Sequence, residues 1–385
     1  MNALLPLRLP VQLRPRRVPL AMRTLFRDWV RLIISVGGIG FAILLVLLLD
    51  GVKEGTVAKS TTYVDHVGAD VFVAREGVTN MALAASVLPD SVVGRVAAVP
   101  GVQQAAGILR IPVIVSSGDS KRPATLIGYN LGVSFGGPWQ INKGRSVRAG
   151  SETVVDEALA AELGLGVGDA LQISGEAFTV VGLSGQTANI AGKHVFLEQQ
   201  AMRDLLGIGS IVSFVLVKGD DGVASADLVA ALNAQVPGTT STTQKELSRN
   251  DRSLLGSLFI APINVMSTIG FLVGLAIIGL TMYTTTAERL RDFGVLKAIG
   301  ARNWFLFRTV ITQAAILGLA GFAFGLGASM LAGLFIVWLV PDIGVSIRLL
   351  SALQTLAAVA GMSFVSALLP VVRITRVDPL MVFRS

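Results

Sequence analysis

The residues best suited to chemistry in this chain are charged side chains that stand between two long apolar stretches. They occur in the segment "ERLRDFGVLKAIGARNWFLFR", residues 288–308, which carries five basic residues. Apolar and charged positions alternate at helical spacing, so Phe293 and Leu296 can share one face while Arg291 and Lys297 lie elsewhere. Such a helix offers noncovalent docking, because its apolar face anchors in a groove and its charges fix the register. An interfacial helix on anionic lipid is the simpler interpretation from physics alone.

A second candidate for ligand contact is the pair Tyr63 and His66. On a helix, residues three apart lie on one face, so the two rings could touch a haem or another flat ligand. The other histidine, His194, is far away in the sequence, and we expect it to be an ordinary surface or hinge residue. The two histidines therefore predict no metal site.

Motifs that carry catalysis are missing from the full sequence. It contains no G-x-x-x-x-G-K-[ST] phosphate loop, no H-E-x-x-H and no G-x-S-x-G. It also contains no cysteine, which excludes disulfides and thiolate chemistry. We therefore predict that the chain is not an enzyme and holds no cofactor or metal of its own.

Composition indicates a membrane protein. The chain of 385 residues is 52% hydrophobic and only 15% charged, whereas a soluble domain has about 25% charged residues. Runs of about 18 or more apolar residues predict transmembrane helices. Four such runs occur, at residues 32–50, 258–283, 309–340 and 349–372.

The distribution of charge predicts the orientation of these spans. Residues 1–31, 284–308 and 373–385 together hold 15 basic and 4 acidic residues, whereas residues 52–252 hold 16 basic and 19 acidic residues. The positive-inside rule then places both termini and the 284–308 segment in the cytoplasm. Nucleic acid is not an expected partner, since the arginines flank the spans.

About 200 residues lie between the first two spans and form the predicted extracytoplasmic domain, residues 51–257. Short strands, hairpins and short helices follow one another there, which predicts an α+β fold. We expect a strand-rich insert at about 131–209 and a first lobe built from 68–130 and 210–235.

Helical stalks are predicted to connect this domain to the spans. Residues 50–67 can extend the first span outward, with a flexible linker as the alternative. Thr243 and Glu246 match a capping box, so a helix that begins there can continue into the second span.

Small residues inside the spans predict close helix packing. Gly270 and Gly274 form one Gly-x-x-x-Gly pair, and Gly321 and Gly325 form another. Small residues let helix backbones approach closely. We expect contacts within the chain first and a dimer interface second.

The stretch "AERLRDFGVLKAIGARNWFLFRTVITQAAILGLAGFAFG" resembles the second intracellular loop and third span of the MacB/FtsX/LolC-type (type VII) ABC permeases. The tail "RITRVDPLMVFRS" and the segment "LAAELGLGVGDALQISGEAFTVVGL" are similar to the family's ending and extracellular core. "FAILLVLLLDGVKEG" and "LIGYNLG" are closer to the DevC-like or haem-exporter-like branch. The resemblance assigns a coupling role to Glu288, Arg289, Arg291, Asp292, Phe293, Gly294, Leu296, Lys297, Ala298, Gly300 and Ala301.

The resemblance implies four transmembrane helices and a large α+β domain between helices 1 and 2. It implies a permease whose 284–308 coupling helix seats in a separate ATP-binding subunit, which binds ATP and Mg. It also implies a second permease copy or relative, membrane lipid, and an extracellular substrate or adaptor as partners. The expected function is export or extraction of a hydrophobic or amphipathic substrate (lipid, lipoprotein, haem, peptide or drug) by mechanotransmission. The alternative is an FtsX-like signal transducer that activates a cell-wall hydrolase.

Overall fold

The computed structural model describes residues 29–187, 192–288, 290–298, 303–340 and 343–375. The described residues form ten helices: α1 (Trp29–Ser60), α2 (Thr62–His66), α3 (Ser91–Ala97), α4 (Glu157–Leu163), α5 (Gln199–Leu206), α6 (Ser225–Gln235), α7 (Gln244–Glu288), α8 (Leu290–Ala298), α9 (Asn303–Leu339) and α10 (Leu349–Thr375).

The strands of the described residues are β1 (Val71–Arg75), β2 (Leu88–Pro89), β3 (Val102–Ser117), β4 (Ser120–Tyr129), β5 (Ile141–Gly144), β6 (Glu152–Asp156), β7 (Ala170–Ile173), β8 (Glu176–Ser184), β9 (His194–Glu198), β10 (Ile211–Val212), β11 (Phe214–Gly219) and β12 (Thr239–Thr243). The chain divides into two compact units. The helical unit comprises residues 1–47, 266–329 and 349–385, and the mixed unit comprises residues 48–265 and 330–348.

The four long helices α1, α7, α9 and α10 are long and apolar enough to cross a membrane. Within the helical unit they share one apolar core, which includes Ile39, Ile278, Val310 and Val359. Outward-facing positions remain apolar as well, since Leu331, Leu334 and many others are exposed, as lipid-facing helices require. The prediction of a membrane α-helical fold with an α+β domain between helices 1 and 2 is confirmed.

The mixed unit is built on a ten-stranded sheet with the order β12-β1-β11-β3-β4-β9-β6-β8-β5, in which β7 pairs with both β3 and β8. Most neighbours are antiparallel, while β4/β9 and β6/β8 are parallel. β3 and β4 form a long hairpin that extends from Leu109↔Gly128 to Ser117↔Ser120. A hairpin here agrees with the predicted succession of short strands, hairpins and short helices in residues 51–257.

The long hairpin also joins the two predicted lobes. Side chains alternate between sheet faces, so Ile108 and Ile127 enter one core and Leu109 and Leu126 enter another. The second core includes Leu183, from the predicted insert 131–209. The insert therefore shares a hydrophobic core with the β3–β4 hairpin of the first lobe.

Local sequence explains the turns. Ser174 and Gly175 both have positive φ, 51° and 93°, as the tight turn between β7 and β8 requires. Helix α4 begins where Asp156 Oδ1 accepts hydrogen bonds from the backbone N–H of Ala158 and Leu159. It ends at Gly164 in the left-handed region, φ 66°.

Both predicted stalks are helical. α1 continues past Asp50 to Ser60 and is followed by α2, so a flexible linker is not what the described residues form there. α7 is one helix of 45 residues, and the Thr243 hydroxyl accepts a hydrogen bond from the Glu246 N–H at 3.2 Å. Pro262 is accommodated within this helix.

Candidate functional site

At the end of α7, a bidentate ion pair connects two helices of the helical unit. Arg31 Nη1 and Nη2 each donate to a Glu288 carboxylate oxygen at 2.8 Å. The two residues are 257 positions apart in the sequence. Glu288 belongs to the predicted coupling residues, whereas Arg31 is only one of the basic residues that predict the orientation of the spans. The pair holds the beginning of α1 against the end of α7.

The predicted single coupling helix, residues 284–308, was too long. Residues 284–288 are the last turn of α7, α8 covers Leu290–Ala298, and α9 begins at Asn303. The third span therefore begins before residue 309, because the helix of "NWFLFR" continues without a break into the apolar run.

Helix α8 presents charge outward. Arg291 and Asp292 are exposed, Val295 is 44% exposed, and Lys297 is half-buried. Gly294 is buried. Arg289, Gly300 and Ala301, and the side chains of Phe293, Leu296 and Ala298, lie outside the described residues.

An aromatic patch at the beginning of α9 was not among the predicted site residues. Trp304 is 69% exposed and Phe305 is 45% exposed, while the Trp304 and Phe307 rings stack at 5.3 Å between centroids. Trp is typical of the membrane–water interface, which is the signal that could have found this patch.

The predicted packing glycines lie at helix contacts within the helical unit. A methyl group added to Gly270 would be 2.9 Å from Val46 Cγ2, and one on Gly274 would be 2.9 Å from Met362 Sδ. On α9, the corresponding positions are 2.5 Å from Ile39 Cγ2 for Gly321 and 2.6 Å from the Gly40 carbonyl oxygen for Gly325. The four glycines therefore have a role within the chain, and the dimer interface stays a prediction.

In the mixed unit, the segment after α9 is joined to the outer part of α1. Arg348 Nη2 lies 2.7 Å from Glu54 Oε2, and the Ser346 N–H donates to the Gly51 carbonyl at 2.8 Å. Gly55 and Gly344 meet backbone to backbone, so a side chain on either would collide with the other. This junction includes no residue that sequence reasoning had selected.

A second junction ties α7 to the mixed unit. Asp251 is 1% exposed, and its Oδ1 accepts from the Met81 and Ala82 N–H groups at 2.8 and 3.1 Å. On another side of the helix, Arg252 donates to Asp65 Oδ2 at 2.7 Å and to Thr61 Oγ1 at 2.9 Å. Burial raises the pKa of Asp251, while the two N–H donors and the charge of Arg110 oppose that rise.

Tyr63 and His66 occupy different environments. Tyr63 is 4% exposed, its hydroxyl donates to the Gly136 carbonyl at 2.8 Å, and burial raises its pKa above the ordinary value. His66 is exposed and stacks on Trp139 at 5.7 Å. The Tyr63 ring is therefore already packed in protein, against Trp139 and His194. The flat-ligand contact stays a prediction.

His194 is not the surface or hinge residue that we expected. It is 3% exposed on β9, where strand alternation directs it into the core between Tyr63 and Phe196. Burial, and then the positive charge of Arg110, lower the pKa of His194 to about 4. The neutral ring therefore belongs to the folded core.

These junctions consist of ion pairs, hydrogen bonds and backbone contacts. Among the described residues, no group of three or more His, Cys, Asp or Glu side chains could hold a metal ion. Their arrangement connects helices to neighbouring elements.

Comparison with known proteins follows this architecture. The FtsX-like permease C-terminal model matches residues 264–379, and the MacB-like periplasmic core domain model matches residues 32–235. An uncharacterised ABC transporter permease of Mycobacterium tuberculosis (strain ATCC 25618 / H37Rv) is 27% identical over 361 residues, 92% of this chain and 95% of the relative. One of Mycobacterium bovis (strain ATCC BAA-935 / AF2122/97) is 26% identical over 362 residues, with the same coverage of both chains.

Two solved structures of extracytoplasmic regions are among those similar to part of the chain. The periplasmic region of MacB from Actinobacillus actinomycetemcomitans has a TM-score of 0.38 at 13% identity, covering 49% of this chain and 95% of its own. The extracellular domain of the transporter YknZ from Gram-positive bacteria has a TM-score of 0.34 at 15% identity, covering 45% of this chain and 98% of its own.

The fold and its junctions define a polytopic membrane protein with a large periplasmic-type domain between its first two spans. The family models, one of which covers more than half of the chain, allow a narrower statement. The chain belongs to the MacB/FtsX-type family of ABC transporter permeases.

Proposed function

We propose that this permease transmits the work of a separate ATP-binding subunit to the mixed unit, and that this motion exports or extracts a hydrophobic or amphipathic substrate. ATP and Mg are bound by that partner, because the full sequence lacks a phosphate loop. A second permease copy or relative completes the assembly. Both termini and α8 face the cytoplasm, as the distribution of basic residues favours.

The observation that carries the proposal is the continuity of α1 and α7. Each is a single helix from its apolar stretch to its junction in the mixed unit, at Glu54–Arg348 for α1 and at Asp251 and Arg252 for α7. At the other end, Arg31 and Glu288 join the same two helices next to α8. A force that reaches the Arg31–Glu288 pair can therefore follow one continuous helix in each case, α1 or α7.

The composition of the apolar runs favours a mechanism that transmits motion, rather than one that moves the substrate through a hydrated pathway between the spans. A polar pathway usually requires ionisable residues within the spans. Asp50, at the outer boundary of the first run, is the only Asp, Glu, Lys, Arg or His in the four predicted spans. The substrate is therefore expected to be taken up outside the helix core.

The test is copurification of an ATP-binding subunit with the full-length chain. We expect Phe293→Asp with Leu296→Asp to abolish recovery of that subunit, because two charges would replace the predicted apolar anchors. The matched control is Ile114→Asp, at a position that is 67% exposed on β3. Recovery of an ATP-binding subunit with the double variant, at unchanged turnover, would overturn the coupling role.

Orientation is tested by single-cysteine labelling, since the natural chain has no cysteine. Arg291→Cys on α8 should react with a membrane-impermeant maleimide only after lysis, whereas Val167→Cys should react in intact cells. Both positions are exposed, so accessibility depends on the side of the membrane. Labelling of Arg291→Cys in intact cells would show that α8 lies outside the cytoplasm and would contradict the predicted topology.

One observation favours the signal-transducer alternative enough to test it. Leu83 and Val87 are 58% and 53% exposed on the loop whose N–H groups Asp251 holds, so an apolar surface is tied directly to α7. A cell-wall hydrolase that is activated only with ATP and wild-type Leu83 would favour this role. ATPase stimulation by an amphipathic compound, unaffected by Leu83→Ser, would favour transport.

A further inference from the structure

A cavity of about 400 Å³ lies beside the first turns of α7, in the mixed unit. Its lining consists of Asp65, Gln244, Lys245, Ser248, Arg249 and Arg252. Three of these side chains are cationic and one is anionic. The cavity therefore carries a net positive charge, and its volume suits a small polar group.

The three cations differ in how they are paired. Arg252 is bound to Asp65 and Thr61, at 2.7 and 2.9 Å. Gln244 Nε2 donates a hydrogen bond to the other carboxylate oxygen of Asp65, Oδ1, at 3.3 Å. Asp65 is thus fully engaged, and no acidic side chain of the described ranges pairs with Lys245 or Arg249. The site keeps two cations that an anion could bridge.

The same face of α7 changes character along the helix. Lys245, Arg249 and Arg252 follow one another at spacings of four and three, so they share one face. Continuing the same spacing leads to Gly256, Phe259 and Ile263. Phe259 and Ile263 are half-buried, and the adjacent Ile260 is 53% exposed. Arg252 and Phe259 are separated by roughly 10 Å of helix rise.

A basic cavity followed by an apolar surface on one helix face matches a molecule with an anionic head and an apolar tail. Oxygen-rich anions form charge-assisted hydrogen bonds with Lys and Arg. The buried Ser248 hydroxyl lines the same cavity and adds a neutral donor. The apolar positions are too far from the cations to contact the head, but they are within reach of an acyl chain.

We propose that this cavity, at Lys245 and Arg249, is a binding site for the phosphate headgroup of an acidic phospholipid, with the lipid tail along Phe259 and Ile260. The inference does not depend on ATP coupling and concerns binding by the chain itself. Free phosphate has the same head chemistry and lacks the tail, so the test includes both.

The test is native mass spectrometry of the full-length protein in neutral detergent, titrated with phosphatidylglycerol and with zwitterionic phosphatidylcholine. We expect phosphatidylglycerol to bind at least about tenfold more tightly than phosphatidylcholine. Lys245→Gln with Arg249→Gln should weaken the binding of phosphatidylglycerol by about tenfold or more. These positions are chosen because their removal leaves no buried partner unpaired, whereas removal of Arg252 would leave Asp65 without its cation.

The matched control is Arg95→Gln with Lys121→Gln, which removes two exposed cations elsewhere in the mixed unit. It should leave phosphatidylglycerol affinity within about twofold of wild type, at an unchanged melting temperature. Ile260→Ser should weaken the binding of phosphatidylglycerol and leave the binding of inorganic phosphate unchanged. Equal affinity in wild type and the Lys245/Arg249 variant overturns the proposal, as does an equal loss in the control. Phosphate binding without phosphatidylglycerol binding overturns the lipid assignment.

Discussion

The helical unit and the mixed unit hold their elements together by different means. In the helical unit, glycines allow α1 and α9 to approach so closely that Gly321 contacts Ile39 and Gly325 contacts Gly40. In the mixed unit, a hydrogen-bonded sheet and buried polar groups such as Asp251 and Asp156 fix each neighbour. Lipid supplies no hydrophobic force between helices, so close contact replaces it. The difference indicates that the helical unit depends on close packing of small residues, whereas the mixed unit depends on directional hydrogen bonds.

The largest expected effect comes from breaking the close contact. Gly321→Ala with Gly325→Ala would place methyl groups 2.5 Å from Ile39 Cγ2 and 2.6 Å from the Gly40 carbonyl oxygen. The backbone at Gly40 cannot move aside as a side chain could, so we expect a loss of roughly 2–5 kcal/mol in stability. This loss of stability is measured by heating the purified protein and recording the fraction that remains monodisperse at each temperature.

The control for this substitution is Gly327→Ala on the same helix. Nothing lies within 4 Å of a methyl group there, so the change should be neutral or stabilising by up to about 1 kcal/mol. If both variants behave alike, close packing does not hold α1 against α9.

The second effect concerns a buried polar group of the mixed unit. His194 has a pKa lowered to about 4 by burial and by Arg110, compared with 6.5 ordinarily. The unfolded chain therefore binds the proton first as pH falls. The stability that the neutral ring provides is complete above pH 6.5 and is lost progressively between pH 6.5 and 4. Between pH 7.5 and 5 the loss is roughly 2 kcal/mol.

His194→Phe should remove this part of the pH dependence, because phenylalanine does not titrate. The measurement compares the drop in melting temperature between pH 7.5 and pH 5 for both proteins. An equal drop in the two would show that other groups cause the acid sensitivity.

The smallest effect on stability should come from the Arg31–Glu288 pair. Its side chains are 39% and 53% exposed, so the pair contributes at most about 1 kcal/mol. Arg31→Glu and Glu288→Arg should each lower ATP turnover of the complex, and combining the two should restore it. Turnover that stays at wild-type level in both single variants would separate this pair from coupling.

Much of the fold was predictable because it depends on local patterns. The apolar runs predicted all four long helices. The continuous stalk of α7 followed from Thr243 and Glu246. Each of these signals lies within one stretch of the chain.

The missed features all join distant parts of the sequence. Arg31 meets Glu288, Arg348 meets Glu54, and His194 becomes buried through strand partners far from it. A single sequence carries no signal for such pairs when each member is also a plausible surface residue. The boundary between α8 and α9 was missed for a related reason, since the amphipathic pattern continues across it.

The bond between Asp251 and the loop at Met81 limits how α7 can move. Successive residues of an α-helix are about 100° apart around its axis. Rotating α7 by one residue would move the Asp251 carboxylate away from both N–H groups and leave them without an acceptor. These two hydrogen bonds therefore oppose rotation of α7 about its own axis. Any displacement of this part of α7 that keeps the two hydrogen bonds must move the loop at Met81 with it.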